Sequence, residues 1–192
     1  MDTSFLIELF GACAGIIYVV LEILKKRVMW VVGIVTSVAY IYIFTRNGFY
    51  AMAGLNVYYV AISFYGLWRW KVAPDICRAG IRITSFCLLA IMLLFILLSI
   101  ILARFTDSPI PYSDALITSL GIVASWMLSR SYLEQWWIWI AANILAAGVA
   151  AWQGLYPSAV LFIAYTVAAV IGYRRWKRKI SLPLPHEKDY SR

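Results

Sequence analysis

The sequence predicts an all-α integral membrane protein with seven transmembrane helices in the order 3+1+3: two parallel three-helix repeats with one helix between them. Three observations predict it. Of 192 residues, 64% are hydrophobic and 14% charged, and the mean hydropathy is +0.81, far from the balance of a soluble domain. An offset of 106 residues joins the identical pairs Gly15/Gly121, Trp30/Trp136, Gly48/Gly154, Tyr50/Tyr156, Tyr59/Tyr165, Gly66/Gly172, Trp70/Trp176 and Lys71/Lys177. A constant register held mostly by Gly, Trp and Tyr marks one unit used twice. The third observation is that, with seven spans, all but Arg46 and Arg104 of the 17 Lys and Arg residues fall on one side.

Apolar stretches near the spanning length of about 20 residues run from Phe5 to Leu24, Val28 to Thr45, Phe49 to Leu67, Ile83 to Ala103, Ser113 to Leu128, Tyr132 to Trp152 and Tyr156 to Tyr173. The first is expected to remain as a helix. Met1-Asp2 offers no basic n-region, and no small-residue cleavage site follows the apolar run. Three helices per unit is an odd number, so a directly attached second copy would enter the membrane inverted. The unmatched stretch from Ile83 to Ala103 restores the orientation. The expected organisation is a first repeat over 1–72, a connector with helix four over 73–110, a second repeat over 111–179 and a basic cytoplasmic tail over 180–192. Both outer turns, Arg46 to Tyr50 and Gln153 to Pro157, carry Gly in the turn and Tyr at the next helix start.

The net charge of +8 could suggest nucleic acid, but its distribution is that of an orientation signal. The RRWKRK run from Arg174 reads as a topology determinant and lipid anchor, placing the N-terminus outside and the C-terminus in the cytoplasm. Cys13, Cys77 and Cys87 lack metal or disulfide spacing and read as packing residues. The single histidine, His186, lies in the tail. With no metal cluster, nucleophile–base pair or phosphate loop, the sequence argues against an enzyme and implies no cofactor.

Polar groups inside the membrane are the functional candidates. Trp136, Trp139 and Asn143 stand at i, i+3 and i+7, within roughly 60° of helical arc. Asn143 falls near mid-membrane, where an amide without partners is costly. The repeat counterparts on helix two are Trp30, Gly33 and Ser37, with Tyr40 continuing the face. Helix three repeats the spacing with Asn56, Tyr59, Ser63 and Gly66, and helix five offers Asp114, Thr118, Gly121 and Ser125. Such an interior suits a flat, ring-bearing polar solute; a delocalised positive charge would add about 0.5 to 2 kcal/mol per ring contact. Helix–helix hydrogen bonding is the competing account of Asn143.

Blander readings are assigned elsewhere. Trp68, Trp70, Trp126, Trp152 and Trp176, near helix ends, read as interfacial anchors. Gly11 and Gly15 form a small-xxx-small packing pair. Glu22 is paired with Lys26, and Glu134 with Arg130, at helical spacing. Glu8 and Asp114 are explained by favourable charge at helix N-termini, with attraction of a cationic solute as the alternative. No intramembrane acid is expected to demand a coupling ion.

At Trp136, Trp139 and Asn143 the chain resembles the PnuC family of bacterial vitamin transporters, whose sixth core helix carries W-x-x-W-x-x-x-N. YLEQWWIWIAAN, IGYRRW, YGLWRW and residues Trp30, Gly33 and Tyr50 share the resemblance. It covers nearly the whole chain and is most specific over 28–71 and 132–177; helix four matches only as a hydrophobic connector. The resemblance implies a fold related to the SWEET sugar carriers, a homotrimer in the bacterial inner membrane, and facilitated diffusion of nicotinamide riboside with cytoplasmic phosphorylation trapping the product. Carried over by residue, Trp136, Trp139 and Asn143 would contact substrate, with Tyr59 and Tyr165 as further candidates; Asn56, Ser37 and Tyr40 complete the expected site. Asn56 and Ser63 stand where nicotinamide riboside carriers more often have Gln and Asn. Thiamine carriers, which often have Asp in place of Asn143, share much of helix seven, so thiamine is the alternative cargo and riboflavin a third. A non-transporting sensor or assembly subunit is the competing class.

Overall fold

The computed structural model describes residues 3–181 except 47, 49, 74, 107 and 108; the side chains of 3–12 and of 51 also lie outside the description. The expectations for Glu8, Gly11, His186 and most of the basic tail therefore fall outside the described residues. Among the described residues seven helices follow in order: α1 (Thr3–Ile23), α2 (Val28–Arg46), α3 (Tyr50–Val72), α4 (Ile81–Phe105), α5 (Pro111–Ser129), α6 (Gln135–Trp152) and α7 (Tyr156–Ser181). α2, α4 and α7 are long and apolar enough to cross a membrane by composition alone. The 18 residues of α6 rise about 27 Å, close to the thickness of a hydrocarbon core.

Helix ends depart from the apolar boundaries where propensity outlasts hydropathy. α7 continues through the basic segment to Ser181 because Lys and Arg are good helix formers and Trp176, at 0% exposure, packs inward. α6 starts at Gln135, later than expected, because Ser131 takes φ 60° and breaks the helical path. α5 opens with Pro111, whose missing N–H costs nothing in a first turn.

The packing is the same in both three-helix sets. α1 packs on α2 as α5 does on α6, α2 on α3 as α6 on α7, and α1 on α7 as α3 on α5. Among the described residues α4 packs on α5 alone of the helices and leaves Leu88, Leu93 and Leu97 exposed, as a lipid-facing connector requires.

At the end bearing the basic loops, four indoles close the core. Trp30 meets Trp70 edge-on at 5.3 Å, Trp136 meets Trp176 edge-on at 5.5 Å, and Trp70 and Trp176 lie 6.2 Å apart. Each pair needs a glycine: a Cβ on Gly66 would come within 3.0 Å of the Trp30 ring, and one on Gly172 equally close to Trp136. Trp70 and Trp176 are therefore core residues, which corrects the interfacial reading; Trp68 and Trp152 are exposed and Trp126 half-buried. Trp70 is fixed further by its Nε1, which donates to the Leu128 carbonyl at 3.1 Å.

Lys25 and Ser131, themselves 106 residues apart, both adopt left-handed backbone, and the Lys25 Nζ donates to Ser131 Oγ at 2.6 Å. The Nζ also lies 4.8 Å from the Trp70 ring centroid and 5.2 Å from that of Trp176. Burial pushes the Lys25 ammonium down to about 8. At the other end, Gly48 and Gly154 hold φ 78° and 77°, the turn conformation that selects glycine.

The loop after α3 is tied to the α5–α6 loop. Cys77 N donates to Ser131 O at 3.0 Å and Leu133 N to Cys77 O at 2.9 Å. Glu134 accepts from Ala79 N at 2.7 Å, while Arg130 lies over the Trp126 ring, so the expected Glu134–Arg130 pair is replaced by a loop cap. Of the cysteines only Cys87 is buried; the packing reading fails for Cys13 and Cys77.

Candidate functional site

A cavity of about 340 Å³ opens between the two helix sets, within the size range of small-molecule sites. α1 supplies Ala14, Gly15, Tyr18, Val19 and Glu22; α2 supplies Gly33, Thr36, Ser37 and Tyr40; α3 supplies Tyr59, Ile62 and Ser63. From the other set come Ser125 of α5, Trp136, Trp139 and Asn143 of α6, and Phe162, Tyr165 and Ala169 of α7. Each helix that supplies more than one residue follows helical i, i+3, i+4, i+7 spacing, so that one face of each reaches the same space.

Of the expected site residues, Trp136, Trp139, Asn143, Tyr59, Ser37, Tyr40 and Tyr165 line the cavity. Asn56 does not: it is buried and its Nδ2 donates to the Met52 carbonyl of its own helix at 2.9 Å. Tyr59 and Tyr165 cross the cavity in equivalent ways. Tyr165 Oη occupies the space a side chain on Gly15 would need, and Tyr59 Oη stands 3.4 Å from a Cβ placed on Gly121. Gly15 thus makes room for a ring as well as for helix packing.

The Asn143 amide makes no hydrogen bond to any described residue, and Trp139 Nε1 is buried without a partner among them. Helix–helix hydrogen bonding therefore does not account for Asn143 within the described residues. Thr36 differs, since its Oγ1 donates to the Val32 carbonyl at 2.9 Å and is already satisfied.

Glu22 overturns an expectation. It is 3% exposed, lines the cavity, and its Oε1 accepts from Gln135 Nε2 at 3.1 Å across α1 and α6. Lys26 is exposed and no Glu22–Lys26 ion pair forms among the described residues. An acid therefore does face the interior. The missed signal was its spacing: Gly15, Tyr18 and Glu22 repeat the i, i+3, i+7 pattern of Trp136, Trp139 and Asn143.

Comparison with known proteins decides the family. The model of the nicotinamide mononucleotide transporter family matches residues 5–178. The chain belongs to the nicotinamide mononucleotide transporter family. Relatives of this family include the nicotinamide riboside transporter PnuC of Escherichia coli K12, 23% identical over 201 residues covering 88% of this chain and 84% of that protein. Its counterpart in Neisseria mucosa is 24% identical over 187 residues, 88% of this chain and 71% of that protein. The Haemophilus influenzae counterpart is 21% identical over 183 residues, 91% and 80% respectively. The crystal structure of the vitamin B3 transporter PnuC superposes with a TM-score of 0.73 at 23% identity, covering 93% of this chain and 83% of that one. This nicotinamide mononucleotide transporter family member is thus a multi-pass bacterial membrane transporter of all-α fold, and its cavity lies where two equivalent helix sets meet.

Proposed function

We propose that the protein carries nicotinamide riboside across the bacterial inner membrane by facilitated diffusion, with cytoplasmic phosphorylation trapping the product. One observation carries the reading: the Asn143 amide and the Trp139 indole N–H, one helical turn apart, have no partner among the described residues at a cavity walled by Tyr40, Tyr59, Tyr165 and Trp136. Buried polar groups find partners, and a ring-bearing solute with amide and hydroxyl groups supplies both stacking and hydrogen bonds. The relatives' names point to the same vitamin.

In this reading Trp136, Trp139, Asn143, Tyr59, Ser37, Tyr40 and Tyr165 contact substrate. Asn56, bonded within its own helix, lies outside this set. Residues 1–72 and 111–179 are the two repeats that rock against each other, 73–110 is the connector and 180–192 a cytoplasmic tail. The N-terminus faces outward, Arg174, Lys177 and Arg178 anchor α7 at anionic lipid, and the carrier assembles as a homotrimer. It is a carrier without enzymatic activity.

The test is a titration of nicotinamide riboside, thiamine and riboflavin against the purified protein, followed by uptake in liposomes. Nicotinamide riboside is expected to bind tightest and to equilibrate. Tighter binding of thiamine would reassign the cargo, and folded protein that moves none of the three would make it a sensor or assembly subunit.

A further inference from the structure

The pair Glu22–Gln135 has a counterpart in the fold that shows what packing alone requires. One repeat offset away stand Leu128 and Met29, both 0% exposed and both in the core around the tryptophans. The equivalent pair of positions, each reaching from one half to the other, is thus filled by apolar side chains in one case and by a carboxylate and an amide in the second. Placing an ionised carboxylate in a membrane interior costs several kcal/mol unless it is compensated. Gln135 compensates it in part, through one hydrogen bond at 3.1 Å, and Gln135 Oε1 is itself buried without a partner among the described residues.

Cation sources around Glu22 are sparse. Lys25 donates to Ser131 over the Trp70 and Trp176 rings, and Lys26 and Arg27 are exposed. The other ionisable groups lining the cavity are the phenols Tyr18 on α1, Tyr40 on α2, Tyr59 on α3 and Tyr165 on α7; α5 and α6 bring Ser125 and Asn143 to the lining, Gln135 reaches Glu22 from α6, and none of these three titrates. Burying an ionised acid without a counter-cation is unfavourable.

Resting on the carrier reading above, we propose that Glu22 is the counter-charge of the cavity: it holds a proton in the unliganded protein and releases it to water when a ring-bearing cation binds. Charge then balances within the site, since the permanent positive charge of the solute replaces the proton. The pair also sets specificity, favouring a cationic ring over its uncharged form.

The sign of the pH dependence follows from linkage. Binding selects the deprotonated carboxyl, so affinity for the cation rises with pH, by up to about tenfold per pH unit, and levels off once Glu22 is ionised beforehand. The experiment is titration calorimetry of the full chain with nicotinamide riboside, whose ring charge is permanent, and with its uncharged dihydro form. Buffers of different ionisation heat count the protons, over a range from about pH 6 to about pH 9. Release approaching one proton per riboside, a pH-independent affinity for the dihydro form, and loss of both the proton release and the preference in E22Q are expected. Binding of the riboside with no proton release, or with release unchanged in E22Q because Lys25 supplies it, overturns the proposal and leaves the carrier reading intact. If E22Q does not fold, the count is repeated on K25M: release that persists there is expected, and release lost there overturns the proposal. If the riboside does not bind but thiamine does, the same count on thiamine decides; if neither binds, the carrier reading for ring cations falls and this proposal with it.

Discussion

The two three-helix sets agree where they build the fold and differ where they face the cavity. Trp30 on Gly66 matches Trp136 on Gly172, Lys25 and Ser131 share a left-handed backbone, and Gly48 and Gly154 share a turn. Apart from Tyr59 and Tyr165, the lining does not match. Tyr18, Glu22, Ser63 and Tyr40 face the cavity from the first half, where the second half has Ala124, Leu128, Ala169 and Ala146. At the centre the volumes reverse. A Cβ on Gly33 would already stand 3.0 Å from Ser63 Oγ and 3.1 Å from the Tyr18 ring, so a small residue is needed there, whereas small Ala124 and Ala169 accompany the large Trp139. A duplicated scaffold lets two bodies move alike; an asymmetric small solute still needs a single, unequal set of partners.

The largest effect tests the scaffold's equality. Overpacking a close contact costs about 1–3 kcal/mol, and a side chain on either Gly66 or Gly172 would enter an indole ring. G66A and G172A are each expected to lower the melting temperature in detergent by similar amounts, and the leucine variants to abolish a monodisperse peak in size-exclusion chromatography. A loss confined to one of the two would break the equivalence of the halves.

The next effect tests the lining's inequality. Asn143 and Ser37 occupy equivalent positions and both reach the cavity, but an amide offers a donor group and an acceptor where a hydroxyl offers less. N143L is expected to weaken nicotinamide riboside binding about 10- to 100-fold and S37A about 3- to 10-fold, on net hydrogen-bond values of about 0.5–3 kcal/mol. Equal losses would mean that the two halves contribute alike.

Much of this was legible in advance because hydropathy and a constant offset report on backbone placement. The pattern Trp136, Trp139, Asn143 fixes a helix face, and that face lines the cavity. What could not be read was which of two partners a polar side chain chooses. Asn56 sits on a face shared with Tyr59 and Ser63 but turns to its own helix at Met52 O, a choice decided by packing at atomic range. Glu22 has Lys26 four residues on, a spacing that suits a local ion pair; only the fold reveals that Gln135 takes its place. Trp70 and Trp176 have the position of interfacial anchors, and become core only because two loops and two glycines bring four indoles together.

The smallest effect lies at Lys25, where the halves differ in charge but not in backbone. An ordinary lysine holds its proton to about 10.4, while burial brings Lys25 down to about 8. Over that window the unfolded chain binds more protons than the folded one, so stability rises with pH, fastest between the two values, and is flat below the lower one. K25M removes the titrating group and keeps much of its length over the Trp70 and Trp176 rings. The melting temperature of the wild type relative to K25M is therefore expected to climb as pH is raised from about 8 to about 10, with other groups cancelling in the difference. A difference that falls over this window would mean that the Ser131 hydrogen bond and the two indole faces stabilise the ammonium by more than burial costs it. Lys25 would then act as a charged clasp between the halves.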